Sequence, residues 1–251
     1  LRIPMKSSLL FAASWVGLSL VFAGAAGAAE TPSVDSILAK YVSASGGKPA
    51  LEKITSRVVK IHIESEAFGT SDGEVYAAAP DKVASHIEMP NSGAIDEGFD
   101  GKVAWAKSPW QELREKAGEE LAKARRDAQF YRVVNFKQVY PELVFKGTEK
   151  VGDEDAYLLE SKPSATSSEK FWFGAKSGLV LRQDSAFDGP QGAVGVSVLA
   201  QGYKAIEGIQ YPSAMKMKIS AGGQTFEMTM KFLEVQHNVK IDPAKFAKPS
   251  A

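Results

Sequence analysis

Residues 215–230 read MKMKISAGGQTFEMTM, and apolar and polar side chains alternate on both sides of Gly222-Gly223. Two glycines between alternating segments are typical of a two-residue β-hairpin turn. The pairs that this turn would place opposite each other on one face are Met215 with Met230, Met217 with Met228, and Ile219 with Phe226. The charged side chains on the other face are Lys216, Lys218, Glu227 and Lys231. The segment therefore predicts an antiparallel sheet with one apolar face and one hydrated face.

The four methionines of this hairpin allow two interpretations. Methionine is flexible, specifies a packed core poorly, and is common on surfaces that accommodate varied apolar partners. The methionine patch is therefore either a wall that faces a ligand or part of a core that packs beneath a helix.

The same alternation extends over most of the chain. From Arg57 onward, Val59, Ile61 and Ile63 alternate with polar residues, which predicts a half-buried strand. Further strands are predicted at about residues 73–79, 82–89, 94–99, 102–107, 143–151, 156–162, 169–174, 179–186, 194–203, 211–220 and 224–234. No linker, repeat or low-complexity stretch divides them, so residues 29–251 are predicted to form one mainly β domain with a smaller helical part.

Two amphipathic helices are predicted beside these strands. Ser33 can cap a short helix that ends at Gly46-Gly47. Ser108-Pro109 is typical of a second helix start, and apolar spacing predicts that this helix continues to about residue 131. The apolar stripe that we expect to pack over the sheet contains Trp110, Leu113, Leu121 and Tyr131.

Residues 1–28 predict a secretory signal peptide with a short upstream extension. Met5-Lys6 begins a positive stretch, residues 9–22 are almost wholly apolar, and Ala26-Gly27-Ala28 fits the small-residue cleavage rule. The apolar run is short for a membrane span, which needs about 20 residues. We therefore expect cleavage near Ala28 and export of the remaining chain.

Composition and motifs argue against several classes of chemistry. The 30 basic and 30 acidic residues balance, so no net charge is expected to attract nucleic acid. The chain has no cysteine, and its three histidines, His62, His86 and His237, lack metal-ligand spacing. No nucleotide-binding, calcium-binding or serine-hydrolase motif is present. The sequence therefore predicts a protein that is not an enzyme, needs no cofactor or metal, and does not bind nucleic acid.

Three short segments contain motifs that occur together in one protein superfamily. Residues 73–83 contain GEVY followed by PDKV, an aromatic strand and a proline turn, and residues 100–105 read DGKVAW, a DGK-x-x-W hairpin. Residues 38–54 contain YV, GGK and LEKI. The first two segments resemble signature motifs of the LolA-like superfamily of periplasmic lipoprotein carriers and outer-membrane lipoprotein-sorting proteins, and the third is similar to the start of a bacterial branch of it.

The resemblance implies an incomplete antiparallel β-barrel, here of about eleven strands, around an apolar cavity with helices covering its open side. It also implies a monomeric periplasmic carrier of acyl chains or lipoprotein lipid, whose partners are lipoprotein transfer proteins of the inner and outer membranes. The best-known carriers have an arginine before the signature proline that holds the lid, whereas this chain has Ala79. The alternative is a cell-envelope binding or scaffold module that acts through its surface and fills its cavity with its own side chains.

Together with the sidedness of the strands, the resemblance predicts an apolar wall that contacts the acyl ligand. The predicted wall residues are Ile61, Ile63, Trp105, Trp110, Leu113, Phe171, Phe173, Met215, Met217, Met228 and Met230. Under the scaffold alternative, the same face would be a packed core.

Overall fold

The hairpin around Gly222-Gly223 has the register that the sequence predicts. The computed structural model describes residues 31–190 and 192–250. Both turn glycines have positive φ angles, +57° and +76°, which a left-handed hairpin turn requires. The cross-strand methionine pairs are Met215 with Met230 and Met217 with Met228.

Within residues 31–190 and 192–250, thirteen strands form one antiparallel sheet. Their bounds are β1 (Ser56–Ser65), β2 (Gly69–Ala78), β3 (Lys82–Met89), β4 (Gly93–Phe99), β5 (Ala104–Ser108), β6 (Gln111–Glu115), β7 (Val144–Val151), β8 (Glu154–Ser164), β9 (Ser167–Gly174), β10 (Val180–Gly189), β11 (Gly192–Ile206), β12 (Ile209–Ala221) and β13 (Gln224–His237). Their spatial order is β6-β5-β4-β3-β2-β1-β13-β12-β11-β10-β9-β8-β7. Strands β1 to β6 form one meander in sequence order and strands β7 to β13 form a second, and the pairing of β1 with β13 joins the two halves.

The sheet does not close into a barrel, because β6 and β7 lie at its two edges. This confirms the mainly β, incompletely closed architecture with helices that was predicted. The sheet has thirteen strands rather than about eleven.

The described helices are short. They are α1 (Val34–Ala44), α2 (Lys48–Leu51), α3 (Gly118–Asp127), α4 (Phe136–Val139) and a 3-10 turn at Pro243–Lys245. Ser33 caps α1 as predicted, since its Oγ accepts a hydrogen bond from the Ser36 backbone N–H at 3.1 Å. None of the helices in residues 31–190 and 192–250 combines the length and the apolar character needed to cross a membrane.

The helix predicted from Ser108 to about residue 131 is wrong in its first half. Residues 111–115 form β6, which pairs with β5, and the helix spans only Gly118–Asp127. An unpaired β5 edge would leave backbone N–H and C=O groups without partners, and strand pairing outweighs the local helical spacing here. Lys116, just after β6, contacts Glu97 on β4 at 2.6 Å.

We call the face of the sheet that carries the hairpin methionines the inner face. Ile61 and Ile63 on β1 lie on it, packed against Met228 and Met230. Helices cover this face at two places. Near one edge of the sheet, α1 and α4 pack on the aromatic side chains of β9. Toward the other edge, α3 packs on β4 and β5 through Leu121 and neighbouring alanines.

The opposite, outer face is covered in part by the C-terminal segment. Phe246 packs there with Tyr76 of β2 and Ala84 of β3. The indole Nε1 of Trp105 donates a hydrogen bond to the backbone carbonyl of Phe246 at 2.9 Å. This contact fixes Trp105 on the outer face of β5, while its neighbours Ala104 and Ala106 point inward.

Candidate functional site

The inner face between the two helical covers borders a cavity of about 370 Å³. Strands β1, β2 and β9 to β13 supply most of its floor, and the segment between α3 and α4 forms its roof. The apolar side chains that line it include Val59, Ile61, Val75, Phe130, Phe171, Val198, Ala200, Met215, Met230 and Phe232. Among the residues that the structure describes, the lining contains no aspartate or glutamate. The wall is therefore mainly apolar, and its charged members are arginines.

The roof is held to the sheet by backbone and side-chain contacts. The Phe130 N–H donates a hydrogen bond to the carbonyl of Pro80 at 2.9 Å. Phe136, at the start of α4, packs edge-on against Phe171 on the inner face, with ring centroids 4.8 Å apart. The residue before the signature proline is Ala79, and the roof is bonded to the proline carbonyl itself.

Three tyrosine hydroxyls with raised pKa values lie in or beside the cavity. Burial raises the pKa of Tyr41, Tyr203 and Tyr140, so each phenol stays protonated at neutral pH. Tyr203 donates to the carbonyl of Val180 at 2.6 Å. These groups are neutral and cannot supply a general base or a nucleophile at physiological pH.

Arg57 is a charged side chain on the part of the cavity floor that β1 forms. Arg57, Val59 and Ile61 occupy alternate positions on β1. Because alternate side chains of a strand lie on the same face, Arg57 points to the inner face. Its guanidinium lies 5.6 Å from the ring centroids of both Phe130 and Tyr211. Its Nη1 donates to the Tyr211 hydroxyl at 3.5 Å, a long hydrogen bond.

A chain of hydrogen bonds fixes the position of Tyr211. The Tyr211 hydroxyl lies 2.7 Å from Nε2 of His237, and Nδ1 of His237 lies 2.8 Å from the Glu207 carboxylate. The imidazole is almost fully buried, at 1% exposure, whereas the Glu207 side chain is exposed. We assign the Nδ1 proton to the bond with Glu207, so that Nε2 accepts from the tyrosine.

Two other arginines at the cavity have acidic partners. Arg132, in the roof, lies 3.3 Å from the Asp127 carboxylate and 3.4 Å from the Tyr140 hydroxyl. Arg182 makes two hydrogen bonds to Asp184, at 2.9 and 2.6 Å, and lies 4.7 Å from the ring centroid of Trp172. In residues 31–190 and 192–250, no carboxylate lies within 4 Å of the Arg57 guanidinium.

Helix α3 is attached to the far side of the cavity through a buried carboxylate. Glu169 on β9 is 1% exposed and accepts a hydrogen bond from the Ser185 hydroxyl at 2.5 Å. Its other oxygen lies 3.6 Å from Arg126 and 4.0 Å from Lys123, both on α3. The helix is therefore held by apolar packing on β4 and β5 and by ion pairs to β9.

We predict that Glu169→Gln lowers the free energy of unfolding by about 1–3 kcal/mol, because the largely buried Arg126 loses its anionic partner, whereas Lys123 keeps its pair with Asp127 at 2.7 Å. Glu160→Gln is the matched control, since Glu160 pairs with a half-exposed Lys146 at 3.5 Å and should cost less than about 1 kcal/mol. Urea unfolding measures both changes. Equal costs for the two variants would show that the buried pair does not hold α3.

No protein-family model matches the chain, and no curated protein matches it in sequence. Solved structures do match. A DUF1329 family protein from Desulfovibrio piger superposes with a TM-score of 0.55 at 16% identity, over 86% of this chain and 98% of that one.

Two further solved structures also match this chain. A domain from Vibrio parahaemolyticus, described as an outer membrane lipoprotein-sorting protein domain, gives a TM-score of 0.55 at 12% identity, over 84% of this chain and 95% of that one. A LolA superfamily protein from Nitrosomonas europaea gives 0.54 at 16% identity, over 87% and 99%. The chain has a LolA-like fold. At these identities the likeness shows the fold alone, and it confirms the resemblance found in the sequence.

The LolA-like sheet brings together part of the predicted wall. Ile61, Phe171, Met215 and Met230 line the cavity. The other wall residues on the inner face are Ile63, Phe173, Met217 and Met228. Ile63 and Met228 pack together beside the cavity, and Phe173 lies in the aromatic core beneath α1. Met217 is paired with Met228 and is half-buried.

Three predicted wall residues lie elsewhere in the LolA-like fold, and their placement corrects the prediction. Trp105 lies on the outer face, because Ala104 and Ala106 take the inward positions where α3 packs closely. Trp110 is in the β5–β6 turn, 63% exposed, and stacks on Phe68 with ring centroids 6.2 Å apart. Leu113 is on the edge strand β6, away from the cavity lining. The predicted helix that placed Trp110 and Leu113 over the sheet does not form there.

The main cavity residue that was not predicted is Arg57. Its signal was present in the sequence, because a cation occupies a position in phase with the apolar residues Val59, Ile61 and Ile63. The roof segment 130–134 had no such signal, since its position depends on where α3 ends. In the described parts of the chain, no group of three or more histidine, aspartate or glutamate side chains could hold a metal ion. The signal peptide predicted at residues 1–28 lies outside the described residues.

Proposed function

We propose that the protein is an exported, non-enzymatic periplasmic carrier that shields an acyl chain of a lipid or lipoprotein in its half-barrel. The single observation that carries this proposal is the cavity of about 370 Å³ with its mainly apolar wall. Small-molecule pockets commonly enclose about 300–1,000 Å³ and combine apolar walls with a few polar groups. The volume is at the small end of that range, which favours one acyl chain over several.

Transfer of an acyl chain from water would supply the affinity. Each buried methylene contributes about 0.8 kcal/mol, so ten buried methylenes contribute roughly 8 kcal/mol before the cost of association is subtracted. The thioethers of Met215 and Met230 can follow a flexible chain without fixing its shape. The wall therefore suits a ligand recognised by its length and apolar character.

The structural neighbours support the class of cargo. One is described as an outer membrane lipoprotein-sorting protein domain and another as a LolA superfamily protein. By analogy, the acyl chain could be presented by a lipoprotein, and the partners would then be transfer proteins of the inner and outer membranes. The scaffold alternative requires a cavity filled by the protein's own side chains, and the volume of about 370 Å³ opposes it.

A neutral apolar fluorophore, N-phenyl-1-naphthylamine, tests the proposal when it is displaced by uncharged monooleoylglycerol. We predict saturable binding to the wild-type protein and at least tenfold weaker binding to Met230→Glu, because an unpaired carboxylate beside the chain must be desolvated or protonated. Met230→Leu nearly conserves volume and should bind as the wild type does.

Circular dichroism shows whether both Met230 variants fold. If Met230→Glu folds and binds with unchanged affinity, the inner face is not the ligand wall. If the wild type shows no saturable binding, the carrier function is wrong.

A further inference from the structure

We propose that Arg57 binds the anionic head group of a single-chain amphiphile, a carboxylate or a phosphate, while the acyl chain lies in the cavity. This inference rests on the proposed carrier function and names the chemical class of its ligand. A purely apolar wall would not distinguish a fatty acid from an uncharged acyl glycerol. A fixed cation on the wall would distinguish them, because it binds the charged head group of the fatty acid.

The balance of charge around the cavity is the first argument. Within the described residues, the lining contains three arginines, no lysine and no acidic residue. Arg182 is paired with Asp184, and Arg132 lies 3.3 Å from Asp127, a carboxylate that it shares with Lys123. Arg57 has aromatic neighbours instead, and a guanidinium stays charged at physiological pH. Among the three lining arginines, Arg57 is therefore the one without a carboxylate within 4 Å in the described residues.

The hydrogen bonds of Arg57 are the second argument. A guanidinium has five N–H donors, and the one bond formed to a described side chain is the 3.5 Å contact with Tyr211. None of its nitrogens is among the fully buried polar atoms that lack a partner in the described residues. A carboxylate or phosphate can accept two parallel N–H bonds from this group.

The preorganisation of Arg57 is the third argument. The rings of Phe130 and Tyr211 each lie 5.6 Å from its guanidinium, and the bonds through His237 to Glu207 fix Tyr211. Glu207 is bonded to His237, two side chains away from Arg57, so its carboxylate does not occupy the donors. A cation held rigidly in a partly apolar site binds an anion more tightly than the same cation in water does.

The position of Arg57 also suits an amphiphile. Along β1, Arg57 lies at the start of the strand, and Val59 and Ile61 continue the same face toward Met230. A head group bound at Arg57 would therefore place its chain along the apolar floor. A free inorganic anion would use the cation but not the floor.

The test compares three competitors of the naphthylamine probe on the full-length folded protein. They are oleate, which has a carboxylate, oleoyl-lysophosphatidylglycerol, which has a phosphate, and uncharged monooleoylglycerol. We expect the wild type to prefer at least one anionic competitor over monooleoylglycerol by about 10- to 100-fold, the range of a charge-assisted hydrogen bond. The competitor that is preferred identifies carboxylate or phosphate as the head group.

Arg57→Gln should remove that preference and leave the affinity for monooleoylglycerol nearly unchanged. Arg125→Gln is the matched control, because Arg125 on α3 is exposed and does not line the cavity, and it should keep the preference. If wild-type protein binds all three competitors equally, the inference is overturned and the carrier function stands. If none of the three binds, the carrier function itself is wrong. The wild-type comparison decides the inference even if Arg57→Gln does not fold.

Discussion

Ala200→Trp should weaken binding of an uncharged acyl probe by about 100-fold or more. Ala200 lies on β11 opposite Met215, and its side chain lines the cavity. An indole at this position would occupy space that the acyl chain needs. Excluding only four methylenes at about 0.8 kcal/mol each already accounts for a loss of this size. Displacement of N-phenyl-1-naphthylamine by monooleoylglycerol measures the change.

Leu199→Trp is the control for this prediction. Leu199 is the preceding residue on β11 and pairs with Lys216, so its side chain lies on the outer face. The two variants add an indole to the same strand on opposite faces, and only Ala200→Trp should lose binding. Equal losses would indicate a general disturbance of β11 and would count against the cavity as the binding site.

Phe173→Ala should lower the free energy of unfolding by about 3–5 kcal/mol, the usual cost of removing a fully buried phenylalanine. Phe173 is 1% exposed, and its ring lies 5.2 Å from that of Tyr41 on α1 and 5.5 Å from that of Phe136 on α4. The alanine variant leaves a void at the place where α1 and α4 pack on β9. For a folded chain of this size, the melting temperature should fall by roughly 6–20 °C.

Leu233→Ala tests whether this loss comes from burial. Leu233 is 59% exposed on β13, and its truncation should change the free energy of unfolding by no more than about 0.5 kcal/mol. Urea unfolding, analysed with one m-value for both variants, compares their free energies of unfolding directly. A loss below 1 kcal/mol for Phe173→Ala would mean that the aromatic cluster under α1 is not a tightly packed core.

The parts of the fold that the sequence predicts correctly are those set by local rules. The Gly222-Gly223 turn fixes the register of β12 and β13, and the alternation from Val59 to Ile63 fixes the inner face of β1. Ser33 predicts the start of α1, because a capping side chain acts within one turn of the helix. Each of these signals lies within a few residues of the structure that it determines.

The errors occur where distant contacts decide the local structure. Residues 111–115 have helical spacing, yet they become β6 because the β5 edge offers backbone partners. Trp105 lies on the outer face because Gly98 opposite it has no side chain and the indole lies against that position. Such contacts depend on how α3 and the C-terminal segment pack, which periodicity does not encode.

The candidate site likewise contains residues that local sequence predicts and residues that depend on distant contacts. Met215 and Met230 reach the cavity through a register that can be predicted from the turn. The roof residues and the unpaired charge of Arg57 become evident only when α3 and α4 are in place. One feature of the sequence does indicate Arg57: it is a cation in phase with the apolar residues Val59, Ile61 and Ile63.

A photoreactive palmitoyl analogue with a diazirine in its chain provides the most direct test of the central claim, that an acyl chain lies in the cavity. After irradiation, peptide mass spectrometry locates the labelled residues. The account predicts saturable labelling at inner-face residues such as Phe171, Ala200, Met215 and Met230, which is lost when excess monooleoylglycerol competes. Labelling confined to the outer face or to the exposed stack of Phe68 and Trp110 would contradict the account.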